Sequence, residues 1–280
     1  MTYTLGFSPC PNDTFLFHAL VHGRIEMEGV PELEPRLEDV ETLNRLALDG
    51  RLDITKVSYG VVPHLLNRYV VLRSGGAMGH GCGPLLVAGS AKHREELAGM
   101  RIAIPGRHTT AALLLRLYAP EADRPVEMPY DRIMPAVASG EVDAGLIIHE
   151  SRFTYPEHGL VEVIDLGGWW EEETGAPIPL GAIVGRRALG DARLQAIEDA
   201  IRASAEAALA DPEPSREYVR EHAREMDDEV VQRHIDLYVN AFSVDVGEPG
   251  ERAVRSLLAR AAEAGVAPRV TGEVFLRRRR

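Results

Sequence analysis

Apolar positions along most of the chain switch repeatedly between a spacing of two and a helical spacing. Tyr3 to Phe7 alternates and is rich in β-formers, which predicts a strand. Phe15, Phe17, Leu20 and Val21 follow at helical spacing, with Asn12 or Asp13 as the predicted cap and Gly23 as the stop. ELEPRLEDV predicts a second strand, pushed to a sheet edge because Pro35 has no N–H to donate. DVETLNRLALDG is helical again, with Val40, Leu43, Leu46 and Ala47 on one face and Gly50 at its end. ITKVSYG is a short strand ending at Ser58. YVVLRSGGAMGHGCGPLLVAGS predicts a strand, a flexible glycine-rich loop near a cleft, and another strand. Strand, turn and helix recur in LAGMRIAIPGRHTTAALLLRLYAP, and helix, Gly140 and strand in DRIMPAVASGEVDAGLIIHE. Beyond GAIVGRRAL the pattern stays helical. This alternation predicts an α/β fold with largely parallel pairing.

Two stretches share one plan. LALDGRLDITKVSYG and AVASGEVDAGLIIHE each read as helix, glycine stop, aspartate and apolar strand, with Gly50 and Asp53 matching Gly140 and Asp143. Two such units predict two similar lobes. The expected division is residues 1–88 with 184–280 in one lobe and 89–183 in the other. Ligands of open α/β sheets bind beyond the carboxyl ends of strands. The first copy delivers Ser58 to such an end and the second delivers His149.

A chain of 280 residues has room for about two domains. Its net charge of −12 gives a nucleic-acid role little support, and the closing Arg277–Arg280 run reads as a solvated tail. Cys10 and Cys82 form no CxxC pair, which argues against a disulfide scaffold or a zinc site. The opening MTYTLGFSPC lacks a signal-peptide pattern and no long apolar stretch follows, so a cytoplasmic protein without a membrane partner is expected.

Candidate chemistry gathers at three strand ends. SPCPND follows a strand and starts a helix, so free N–H groups there either cradle an anion or are simply capped. IAIPGRHTT repeats the arrangement with Thr109 and Thr110, and it is neither a P-loop nor a dinucleotide fingerprint. His149 follows AGLII, and an imidazole with an ordinary pKa of about 6.5 suits proton abstraction near neutral pH. His18 and His22 lack a third metal ligand and read as partly exposed helix positions. Trp169 and Trp170 read as packing at a helix start, with Glu171–Glu173 as a charged first turn.

FSPCPNDTFLFHALVHGR, LEDVETLNRLAL, TKVSYG, PGRHTTA, AGLIIHESRFTY and YVNAFSVDVGEPGERAV together resemble the 1,4-dihydroxy-6-naphthoate synthases of the futalosine route to menaquinone. The resemblance runs from Leu5 to about Gly265. It implies a two-lobed, periplasmic-binding-protein-like (type II) fold with a ligand cleft between lobes. It also implies a carbon–carbon lyase that converts cyclic dehypoxanthine futalosine to 1,4-dihydroxy-6-naphthoate and releases dihydroxyacetone, with no metal or redox cofactor. His149 would be the proton acceptor. Thr109, Thr110 and the segment Thr55, Lys56, Val57 and Ser58 would bind substrate, joined by Asn12, Asp13 and Asn44 from motif position. The partner would be a small anionic substrate, not nucleic acid, and a homodimer is a possible assembly.

Overall fold

The computed structural model describes residues 2–223 and 227–277. In chain order its strands are β1 (Tyr3–Phe7), β2 (Leu33–Leu37), β3 (Ile54–Ser58), β4 (Tyr69–Gly79) and β5 (Leu85–Ala88). They continue with β6 (Arg101–Ile104), β7 (Arg124–Glu127), β8 (Ala144–Ile147), β9 (Val161–Asp165) and β10 (Ile178–Arg186). The helices interleaved with them are α1 (Pro11–Val21), α2 (Val40–Leu48), α3 (Val62–Leu65), α4 (Thr110–Tyr118), α5 (Tyr130–Ala138), α6 (Ser151–Thr154) and α7 (Leu166–Thr174). A helical tail completes the chain: α8 (Asp191–Ala210), α9 (Arg216–His222), α10 (Asp228–Tyr238), α11 (Ala241–Val244) and α12 (Gly247–Glu263).

The strands form two five-stranded sheets, ordered β2-β1-β3-β10-β4 and β7-β6-β8-β5-β9. Each sheet has four strands running one way and one, β10 or β5, running against them, so two of its pairings are parallel and two antiparallel. The expectation of largely parallel pairing is therefore corrected to mixed sheets. The reversed strands, β5 and β10, are the ones the chain forms first on crossing into the second sheet and on returning to the first. β2 lies at an edge, where Pro35 costs no ladder bond.

Sheet membership also moves the expected lobe boundaries. β5 is bonded to β8 and β9 in the second sheet, and β10 to β3 and β4 in the first. The chain has thus crossed before Leu85 and returned by Ile178, ahead of the boundaries expected after 88 and 183. β5 pairs whole within the second sheet, and a boundary after 183 would divide β10 in the middle of one ladder.

The predicted glycine loop is mostly strand. β4 runs on through Gly75, Gly76 and Gly79 beside the bulged part of β10. Gly75 sits at φ +82°, and a Cβ there would lie 2.8 Å from Ile201, while one on Gly76 would lie 2.9 Å from the Gly181 carbonyl. Close backbone approach, not flexibility, explains these glycines. The outer side of β4 is extended by the C-terminal segment, where the Val71 N–H donates to the Val274 carbonyl, the Leu276 N–H donates to the Val71 carbonyl, and Phe275 is buried. Arg277 pairs with Glu273 at 2.8 Å, and the rest of the arginine run lies outside the described residues.

The internal repeat has a physical basis. Asp53 accepts a bond from the N–H of Thr4 at 3.0 Å, and Asp143 one from the N–H of Arg101 at 2.8 Å. Each aspartate thereby closes the start of the neighbouring parallel strand, while Gly50 and Gly140 take the left-handed turns at φ +68° and +77°. Among the described residues, no helix is long and apolar enough to cross a membrane.

Candidate active site

Both sheets aim their strand ends at one cavity of about 680 Å³, its open mouth included. From the first lobe, β1 turns into α1. Pro11 opens this helix with Cys10 at the N-cap position, so neither Asn12 nor Asp13 is the cap. Asp13 lies within the first turn, and its carboxylate folds back to accept bonds from the Ser8 N–H (3.1 Å) and hydroxyl (2.7 Å). The Asn12 amide donates to its other oxygen at 2.8 Å, and the buried Lys56 ammonium pairs with that oxygen as well. Asp13 is fully buried, so this charge is viable only because three neutral donors and a counter-charge surround it.

Strand alternation sorts the segment 55–58. Lys56 and Ser58 line the cavity, whereas Thr55 and Val57 point to the other face and do not. The Thr55 hydroxyl donates to the Lys56 carbonyl at 2.9 Å, and Val57 packs into the core. Asn44 is also off the cavity wall. Its side-chain oxygen accepts from the Ser58 N–H at 2.8 Å and its amide donates to the Ser58 hydroxyl at 3.2 Å. It therefore braces Ser58 from behind and leaves the Ser58 O–H for a ligand acceptor.

In the second lobe β6 turns into α4, whose start, Thr109 to Ala111, lines the cavity. Thr109 is the N-cap, accepting from Ala112 N–H at 3.2 Å and donating to the Gly106 carbonyl at 2.7 Å. Thr110 ties the lobes together by donating to the Leu180 carbonyl at 2.7 Å and accepting from Gly60 N–H at 3.3 Å. The first N–H groups of α4 have no intrahelical acceptor, so the helix presents a positive end to the cavity.

His149 follows β8 and is the one non-glycine residue with positive φ among those described, at +57°. A left-handed β-carbon residue costs about 1–2 kcal/mol, which the surrounding packing holds in place. Its ring lies 5.2 Å from that of Tyr130 and is stacked at 6.0 Å on His234. Burial pushes its pKa below the usual 6.5, with Lys56 acting the same way and Glu150 and Asp13 opposing. The imidazole is therefore neutral, and able to accept a proton, at neutral pH.

Several residues here carried no sequence signal. His234 and Tyr238, four apart on the amphipathic α10, look like ordinary core positions, yet Tyr238 lines the cavity and His234 is fully buried behind His149. The ring Nε2 of His234 lies 2.9 Å from Asn12 Oδ1. The Asn12 amide faces Asp13, so its oxygen faces His234 and Nε2 must carry the proton. Burial, His149 and Lys56 hold His234 far below 6.5, so it stays neutral. Cys10, His149 and Glu150 bring three ligand-type atoms within 4.8 Å of one another. Burial drives the Cys10 thiol strongly upward, and a protonated thiol is a poor cation ligand.

Away from the cavity the other sequence candidates are structural. His18 is buried rather than partly exposed, packing against His22 and Tyr218, with burial first among the causes lowering its pKa to about 4. Trp170 is fully buried and donates to the Pro177 carbonyl at 3.2 Å. Glu171–Glu173 fall in the later part of α7, so they do not form the charged first turn expected.

Two mixed sheets with a ligand-sized cavity at their facing strand ends define a periplasmic-binding-protein-like fold. The ligand-binding component of an ABC-type import system from Staphylococcus aureus has this fold. It matches at a TM-score of 0.72 and 13% identity over 99% of this chain and 96% of that one. The alkanesulfonate-binding protein of Xanthomonas axonopodis gives 0.68 and 14%, over 98% and 96%. Within this class the chain belongs to the menaquinone biosynthesis family, whose model matches residues 3–263. It is 61% identical over 263 residues to the 1,4-dihydroxy-6-naphthoate synthase of Thermus thermophilus, covering 94% of this chain and 95% of that protein. The synthase of the same name from Streptomyces coelicolor is 50% identical over 272 residues, 95% of each. A crystal structure of an Archaeoglobus fulgidus protein matches at a TM-score of 0.89 and 38% identity, over 95% and 98%.

Proposed function

We propose that this chain is a carbon–carbon lyase of menaquinone biosynthesis. It converts cyclic dehypoxanthine futalosine to 1,4-dihydroxy-6-naphthoate with release of dihydroxyacetone. The observation that carries the reading is His149, a neutral imidazole held at a strained strand end against the cavity of a chain so similar to named synthases. His149 takes a proton from substrate carbon, the electron pair left behind starts the fragmentation, and aromatisation of the new ring helps drive it.

The Lys56–Asp13 pair is internally neutral, so recognition of the aryl carboxylate falls to the Ser58 hydroxyl and the α4 N-terminus at Thr109 and Thr110. Asn12, Asp13 and Lys56 line the same cavity. A positioned base contributes about 10²–10⁴-fold, and orientation in the cavity supplies much of the remainder. The reading calls on no metal or redox cofactor and places the protein in the cytoplasm, acting on a small anion without a nucleic-acid or membrane partner.

The test is turnover of cyclic dehypoxanthine futalosine, with naphthoate and dihydroxyacetone both followed by chromatography, for wild type and His149→Ala. Product from wild type and not from the folded variant supports the assignment. Binding without product favours a solute-binding protein like the fold's transport members. If the compound is ignored, chorismate is the next substrate to try.

A further inference from the structure

When His149 accepts a proton, a positive charge forms in a site sealed from most of the solvent, and something must balance it. The anions around it are not equivalent. Asp13, on α1, is already saturated by Ser8, Asn12 and Lys56. Asp39 caps α2, accepting from the N–H groups of Glu41 and Thr42. Lys56, on β3, has the wrong sign and is itself paired. The Cys10 thiol is held protonated, and the Tyr238 phenol on α10 is pushed up by burial.

Glu150 differs from all of these. It is 8% exposed, and its Oε2 is buried with no hydrogen-bond partner among the described residues. Its Oε1 has only the Tyr130 hydroxyl of α5, at a long 3.4 Å. His234 comes within 4.0 Å of Oε2 but cannot satisfy it. Its N–H is committed to Asn12, and the Nδ1 turned toward Glu150 carries a lone pair with no partner of its own. A buried carboxylate oxygen left bare is costly in the resting protein. One of its oxygens lies within 4.8 Å of a His149 ring nitrogen.

We propose that Glu150 is a positioning residue for the base, its under-bonded carboxylate being the counter-charge for the imidazolium that His149 becomes. The inference rests on His149 being the base. The proton leaves substrate carbon for a ring nitrogen, the electron pair remains on the substrate, and Glu150 neither gains nor loses an atom. Glu150 does not line the cavity, so it acts only through His149. Bare in the resting state and paired after proton transfer, it favours the charged state selectively, which is how an electrostatic group accelerates a step.

The decisive comparison is Glu150→Gln, which keeps size and polarity but removes the charge. Loss of the anion makes imidazolium harder to form, so kcat should fall on the order of 10-fold or more with KM changed less than about 2-fold. The same loss lowers the affinity of His149 for protons. The acid limb of kcat/KM, and the His149 titration followed by NMR in the substrate-free protein, should both move to lower pH by about one unit. A variant that is slower yet tolerates more acid is the signature. A fall in kcat without movement of the His149 titration would make Glu150 merely structural and overturn the proposal, as would no change in either. Should Glu150→Gln not fold, Glu150→Asp is read instead: the retained charge must keep the titration near wild type, and a shift as large as that expected for Gln overturns the idea. Because the NMR titration needs no turnover, failure of the proposed reaction and failure of the counter-charge are separable.

Discussion

The two lobes repeat one topology, yet they meet the cavity with opposite solutions. The first presents a closed set of charges: Asp13 and Lys56 satisfy each other, with Ser8 and Asn12 completing the carboxylate. The second presents strain and an unfinished charge, His149 at φ +57° beside the under-bonded Glu150. The two lobes thus divide the labour, a satisfied network giving a rigid wall and an unsatisfied one giving a reactive face. Duplicated architecture does not imply duplicated chemistry.

Substitutions that strike one side only sharpen this contrast. The largest effect is expected on the reactive side. His149→Gln should lower kcat by about 10²–10⁴-fold while circular dichroism and thermal unfolding stay close to wild type. In wild type, kcat/KM should be level at neutral pH and fall only below 6.5, because His149 is held below its ordinary value and must be neutral to act. An acid limb above 6.5 would contradict the burial assigned to it.

On the rigid side the leading effect should be stability. Lys56→Ala leaves Asp13 buried without its counter-charge, a loss of about 3–5 kcal/mol in urea unfolding. The double variant Lys56→Met, Asp13→Asn should recover much of it, and failure to do so would mean that the pair contributes more than mutual neutralisation.

Thr110→Val tests the seam between lobes. It removes a bond to the Leu180 carbonyl and one from Gly60 N–H, so unfolding free energy should drop by about 1–2 kcal/mol and KM should rise more than kcat falls.

The smallest effects concern the repeat itself. Asp143→Asn should cost about 0.5 kcal/mol or less, and Asp53→Asn somewhat more, since the Asp143 side chain is 42% exposed and that of Asp53 is 23%. Bonds from Arg101 hold the Asp143 carboxyl below its usual 3.8. Its small contribution is thus complete above that value and disappears as pH falls through the lower folded one. Equal costs for the two variants would show that exposure does not separate the copies.

Much of this organisation was legible in the chain. Period-two and helical spacings are local, and so are the glycine stops and the aspartates after them, which is why Gly50 and Asp53 could be matched to Gly140 and Asp143 before any fold was known. His149 and Ser58 could be placed at strand ends for the same reason. Asn44 could be singled out, but its place behind Ser58 could not, because it depends on how α2 leans on β3. Thr55 and Val57 point away from the cavity because strand alternation divides the segment, and only the sheet shows which parity faces inward. The glycines of β4 read as a loop in the sequence because their need for close contact with Ile201 and Gly181 is invisible in one dimension.

Sequence alone therefore determined most of the elements, the two-copy plan and the strand-end histidine, all products of backbone preference and short-range periodicity. Sheet order, the crossing points between lobes and the company of His149 were settled in three dimensions. His234 is 85 positions beyond it in the numbering and Cys10 near the other end of the chain. Burial, stacking and an incomplete hydrogen-bond set are properties of neighbours, and residues that distant become neighbours only when both lobes and the helical tail have packed.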